Sequence, residues 1–141
     1  MTIAWRGPVQ GLLERAPADW DGLWTVLFAA AHATSTLALS LPVVEGLDLT
    51  LTAMDLHQAR EELDWARPGL RDTATTVSLG ILPLHDDPQD ARQVIDDLVV
   101  AAMNRVADLS PNEDDLAHPD TAALVTVLGL LRSAHQSLTG R

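Results

Sequence analysis

At 141 residues, with a net charge of −11 and 47% apolar residues, the chain has the size and composition of one globular domain rather than of a disordered segment. It contains no Cys, Lys or Tyr, which excludes disulfides, thiolate metal sites, redox thiols, lysine Schiff bases and tyrosyl acids within the chain. Ten acids face two arginines between Asp86 and Asp120; that sign opposes phosphate neutralisation, so direct nucleic-acid binding is not expected, whereas a basic protein partner suits it.

The N-terminal spacing predicts a short helix over Pro8 to Arg15, closed by Pro17. Asp19 is placed to cap a long helix from Trp20 to about Leu41, where Pro42 follows. The uncharged run from Gly22 to Val44 could span a bilayer, at ~20 residues. It carries His32, four hydroxyl residues before Ser40, and acids rather than arginines at its borders, so a buried central helix is expected and no membrane partner. No basic leader precedes an apolar core in MTIAWRGPVQ, and the cytoplasm is the expected location.

The next helix is expected from about Asp48 to Ala66, with a seam at Leu49, Thr52, Leu56, Ala59, Leu63 and Ala66. Asp55, Arg60, Glu61, Glu62 and Asp64 form its expected wet side, and Arg67-Pro68-Gly69 stops it. Residues 70–82 read as a helix despite the β-branched Thr73, Thr75, Thr76 and Val77. Asp87-Pro88 starts a helix running to about Leu109 and burying Ala91, Ile95, Leu98, Ala102, Val106 and Leu109. The last helix, about Pro119 to Leu138, buries Leu124, Leu128, Leu131 and Leu138, and its Gly129 suggests a close helix approach. The expected fold is therefore all-α: a single-domain, compact antiparallel bundle of four to five main helices plus a short N-terminal helix.

Height matching in an antiparallel hairpin, at ~1.5 Å per residue, puts His32 level with Leu56 and His57, with Glu61 one turn further on. His135 on the last helix adds a third imidazole. Such a set can hold Zn²⁺ or Fe²⁺ in a bundle. His-Glu-x-x-His and Glu-x-x-His motifs are absent, so the favoured reading is a hydrogen-bonded His32 in the core, exposed His57 and His135, and no cofactor.

Trp24-Thr25-Val26 with His32 eight residues after Trp24 resembles the Trp…His segment of DinB-like metal-binding four-helix bundles, over nine residues and without the later His pairs of that family. Ala31-His32 followed by Ser35 resembles a histidine phosphotransfer domain, without the Lys-Gly pair that usually follows the histidine there. Neither segment extends to the rest of its family's pattern.

The tryptophans supply a second candidate site. Trp20 and Trp24 are one turn apart, Trp65 matches Trp24 in height, and Trp5 lies on an arm that can fold to the same end. With Arg60 and Arg67 they suggest a bundle end that holds a flat ligand or acts as an interface hot spot. No nucleophile elbow or phosphate-cradling glycine loop is present. The expected function is a non-enzymatic interaction or regulatory protein: a homodimer or assembly subunit, with an acidic flank at Asp90, Asp97, Asp108, Asp114 and Asp115 facing a partner. The alternative is a metal or small-ligand site, or an enzyme built on one, around His32, His57, Glu61 and His135 or the Trp end.

Overall fold

The computed structural model describes residues 5–74, 87–109 and 119–139, and these form an all-α bundle. Its helices are α1 (Arg6–Arg15), α2 (Trp20–Ser40), α3 (Val43–Ala66), α4 (Leu70–Thr73), α5 (Pro88–Leu109) and α6 (Pro119–Leu138). Two capping acids act where their spacing indicates. Asp19 accepts from the Gly22 amide at 2.9 Å, and Asp87 accepts from the Gln89 amide at 2.9 Å.

α2 packs on α3 and α5, and α6 packs on the same two helices from the other side. Contacts near the ends fix the directions. Arg67 at the end of α3 meets Asp120 at the start of α6, Arg92 near the start of α5 meets the Ser137 and Leu138 carbonyls of α6, and Arg105 near the end of α5 meets the Ala16 carbonyl just before α2. Neighbouring helices therefore run antiparallel, while the diagonal pairs α2/α6 and α3/α5 run parallel. α3 therefore ends and α5 begins at opposite ends of the bundle.

The core lies where the inward rows converge: Leu23, Leu27, Ala30 and Leu37 of α2, Leu49, Leu56 and Leu63 of α3, Ile95 and Leu98 of α5, Val127 and Leu131 of α6. Among the described residues α2 is the one helix long and apolar enough to cross a membrane, and 67% of its most apolar stretch is buried. Its buried Thr34 hydroxyl donates to the Ala30 carbonyl at 2.6 Å, so the apolar surroundings leave that group satisfied.

Three expectations need correction. α3 starts at Val43, not Asp48, because Pro42 takes the N-cap position, where a missing amide costs nothing, and Gly46 continues the helix. The helix beginning at Leu70 closes at Thr73, with Ala74 extended at φ −77° and ψ 153°; positions 75–82 lie outside the described residues. Gly129 has open space rather than a close helix neighbour at its Cα.

Candidate interaction surface

α3 is apolar on two opposite sides. Its inner row, Leu49, Thr52, Leu56, Ala59 and Leu63, is buried as the seam spacing requires. Half a turn away, Val44, Leu47, Leu51 and Met54 follow the same three- and four-residue steps but face water, and Trp65, eleven residues further on, is exposed as well. Val43 and Val44 are 85% and 88% exposed, Leu47, Leu51 and Met54 are 57–61% exposed, and Leu39 at the end of α2 is 89% exposed. The wet side expected for α3 therefore shares the outer face with an apolar row: Glu61 is exposed in the C-terminal half, and the exposed Glu45 and Asp48 of the N-terminal half lie off that row. Singly exposed apolar residues such as Val100 and Val125 are ordinary; a contiguous row is not.

Beside this row, α2 and α3 close against each other through a ladder of rings. Trp24, Phe28 and His32 stack one turn apart along α2, with centroid separations of 5.3 Å and 4.2 Å. From α3, the Arg60 guanidinium lies over Trp24 and Phe28 at 5.6 Å and 5.9 Å, and the His57 ring meets His32 edge-on at 5.9 Å. The buried Trp24 indole N–H donates to Asp64 Oδ1 at 3.0 Å, and Ser35 Oγ lies 3.4 Å from His57 Nε2. Partial burial lowers the His57 pKa below the ordinary imidazole value, and Arg60 and His32 push the same way against Glu61.

The expected site residues are thus partly joined and partly separated. His32 is exposed on the Phe28 ring, not in the core, because it falls on the side of α2 opposite Ala30 and Leu37. His32 and His57 do meet, with Glu61 one turn beyond His57. His135 is elsewhere: its Nδ1 donates to Oδ1 of the buried Asp96 on α5 at 2.6 Å. Among the described residues no group of three His, Asp or Glu side chains converges as a metal site requires.

The aromatic end is also divided. Trp24 and Trp65 share one end of the hairpin, as the Trp24–Asp64 bond records, but Trp24 is 2% exposed and Trp65 is 83% exposed. Trp20 lies under Arg67, whose guanidinium is 4.6 Å from the ring and also pairs with Asp120 at 2.9 Å. Trp5 is fully buried at the far end of α1 and does not join them. Shallow depressions of about 390 Å³ and about 400 Å³ flank Trp65, lined by Glu61, Asp64 and Pro68 on one side and by Met54, His57, Gln58 and Glu62 on the other.

On α5, Asp108 is exposed, Asp90 is partly exposed, and Asp97 accepts from the Gln93 amide group at 3.1 Å. Asp97 also borders a depression of about 300 Å³ shared with Arg6, Val9, Gln10 and Leu13 of α1. Asp114 and Asp115 lie outside the described residues. The acidic flank is therefore carried by the helix diagonally opposite α3, on a surface separate from the apolar row.

Sequence reasoning missed Leu39, Val43, Val44, Leu47, Leu51 and Met54 as a surface. The signal was available: Val44, Leu47, Leu51 and Met54 keep helical spacing out of phase with Leu49, Leu56 and Leu63. No family model matches the chain, and no curated protein or solved structure is significantly similar to it.

Proposed function

We propose that this chain is a non-enzymatic interaction protein that docks through the outward side of α3 and the adjoining end of α2. The observation that carries this reading is the uncharged row Leu39, Val43, Val44, Leu47, Leu51 and Met54, each more than half exposed. Water contact with that much contiguous apolar surface is unfavourable by ~25 cal/mol per Å², and burying it against another protein surface recovers that free energy. The row is bordered by groups suited to a rim: Thr50, His57, Gln58 and Glu61. The acids of α5 serve solubility in this reading.

The test is site-specific photocrosslinking in cells. A photoreactive side chain at Leu51 should give a discrete adduct, and the same group at Asn104, exposed on α5, should not. Leu47→Arg in the Leu51-labelled chain should abolish the adduct. Absence of any Leu51-specific adduct would reject α3 as a docking surface.

A further inference from the structure

We propose that the occupant of this surface is a second copy of the chain, its α3 lying antiparallel on the first across a two-fold axis at the level of Leu49. The proposal rests on the docking reading above and names the partner. Three features of the surface support a self-pair.

The first is area. Full burial of a Val, Leu or Met side chain removes on the order of 100 Å² of apolar surface from water. At the exposures observed for the six residues, the row offers roughly 450 Å² by that measure. A standard interface buries ~800 Å² per partner, a little over half of it apolar. Rim groups at Ser40, Thr50, His57 and Gln58 extend the patch towards that size, so one copy suffices to cover another.

The second is register. With the axis at the level of Leu49, Val44 of one copy faces Met54 of the other and Leu47 faces Leu51. Four of the five apolar members of the α3 row are then matched among themselves, as an isologous contact requires, and Val43 falls at the edge, level with Asp55. Sliding the axis towards the C-terminal end of α3 would set Leu47 against Glu61 and leave a carboxylate on an apolar side chain.

The third is charge. Between Val43 and Met54 the apolar row itself is uncharged, whereas Glu61 and Glu62 follow in the C-terminal half. The two exposed acids in that span, Glu45 and Asp48, sit about a quarter turn or more from the centre of the row at ~100° per residue, and Asp48 is paired with Arg92 at 3.0 Å. The antiparallel register carries those glutamates past the start of the partner's α3. A parallel pair would bring Glu61 against Glu61 and Glu62 against Glu62. Two-fold closure also consumes the row and leaves no open end for further growth.

Because the chain contains no cysteine, the register can be read directly. Purified Val44→Cys and Met54→Cys chains, mixed and treated with a short bismaleimide, should give a cross-linked dimer. Val44→Cys alone should give little. Sedimentation velocity should show a concentration-dependent dimer, and Leu47→Arg with Leu51→Arg should weaken it by about 100-fold or more with unchanged helical circular dichroism. A concentration-independent monomer, or predominant Val44-to-Val44 linkage, would overturn the proposal. A Leu51 photoadduct in cells with a mass other than two copies would overturn the second copy while leaving the docking reading standing; the absence of any adduct would remove both.

Discussion

At Gly46 an added Cβ would lie 2.6 Å from the Ala38 carbonyl oxygen, closer than real Cβ atoms approach a backbone. The missing side chain lets α3 begin immediately after the two-residue turn and fold flat against α2. Gly129 is the opposite case: it is exposed, and an added Cβ would meet nothing within 4 Å. Gly129→Ala is expected to stabilise the fold by about 0.5–1 kcal/mol through helix propensity alone, and Gly46→Ala to destabilise it. Chemical denaturation midpoints check both; a less stable Gly129→Ala would show that α6 is closely packed there. His57 supplies a pH test. Its folded-state pKa lies below the ordinary value of 6.5, so the unfolded chain binds this proton more readily. The stability associated with neutral His57 is present above about pH 6.5 and is lost as pH falls through that value towards the lower folded pKa. His57→Gln should therefore show a shallower acid-side decline in stability than wild type. Parallel declines would assign the acid sensitivity to other groups.

The two sides of α3 make the same residue type behave differently. Leu56 is fully buried and Leu51 is 57% exposed. Leu56→Ala should cost about 2–5 kcal/mol. In dilute solution Leu51→Ala should change stability by no more than about 0.5 kcal/mol. Equal losses by urea denaturation would mean that the outer row is packed within the folded chain. The inner row was legible in the sequence because helical periodicity reports which residues share a side. The caps at Asp19 and Asp87 were legible because their bonds span only two or three residues. Periodicity does not report whether a second helix covers a given side, and for that reason the exposure of the outer row is not legible in the sequence. The start of α3 is not legible in the sequence because Gly46 after Pro42 reads as turn chemistry, while the close approach that requires glycine is visible only in three dimensions. His32 was drawn to the core by its apolar neighbours, although its place on the helix turns it outward onto Phe28. Asp96 and His135 are 39 positions apart, and no local spacing announces such a pair.

At the scale of the whole molecule, four long helices among the described residues enclose one core, and each has an outer side. On α5 that side is acidic, and on α3 its first half carries the uncharged apolar row, so association and repulsion arise from different surfaces. Each chain carries a net charge of −11, and two copies brought together along α3 repel through this long-range field. Salt shortens the range of that repulsion: the Debye length falls from ~10 Å at 0.1 M to ~3 Å at 1 M. The apolar contact itself has no ion pair for salt to weaken. Self-association along α3 should therefore tighten as sodium chloride rises from about 0.1 M to about 1 M. A basic partner attracted to the same acidic molecule should bind more weakly over that range, because screening then removes attraction. The sign of the salt dependence, measured by sedimentation equilibrium for the chain alone, distinguishes the two physical origins. A dimer that dissociates with added salt would place its stability in ion pairs, and hence on a surface other than the uncharged row of α3.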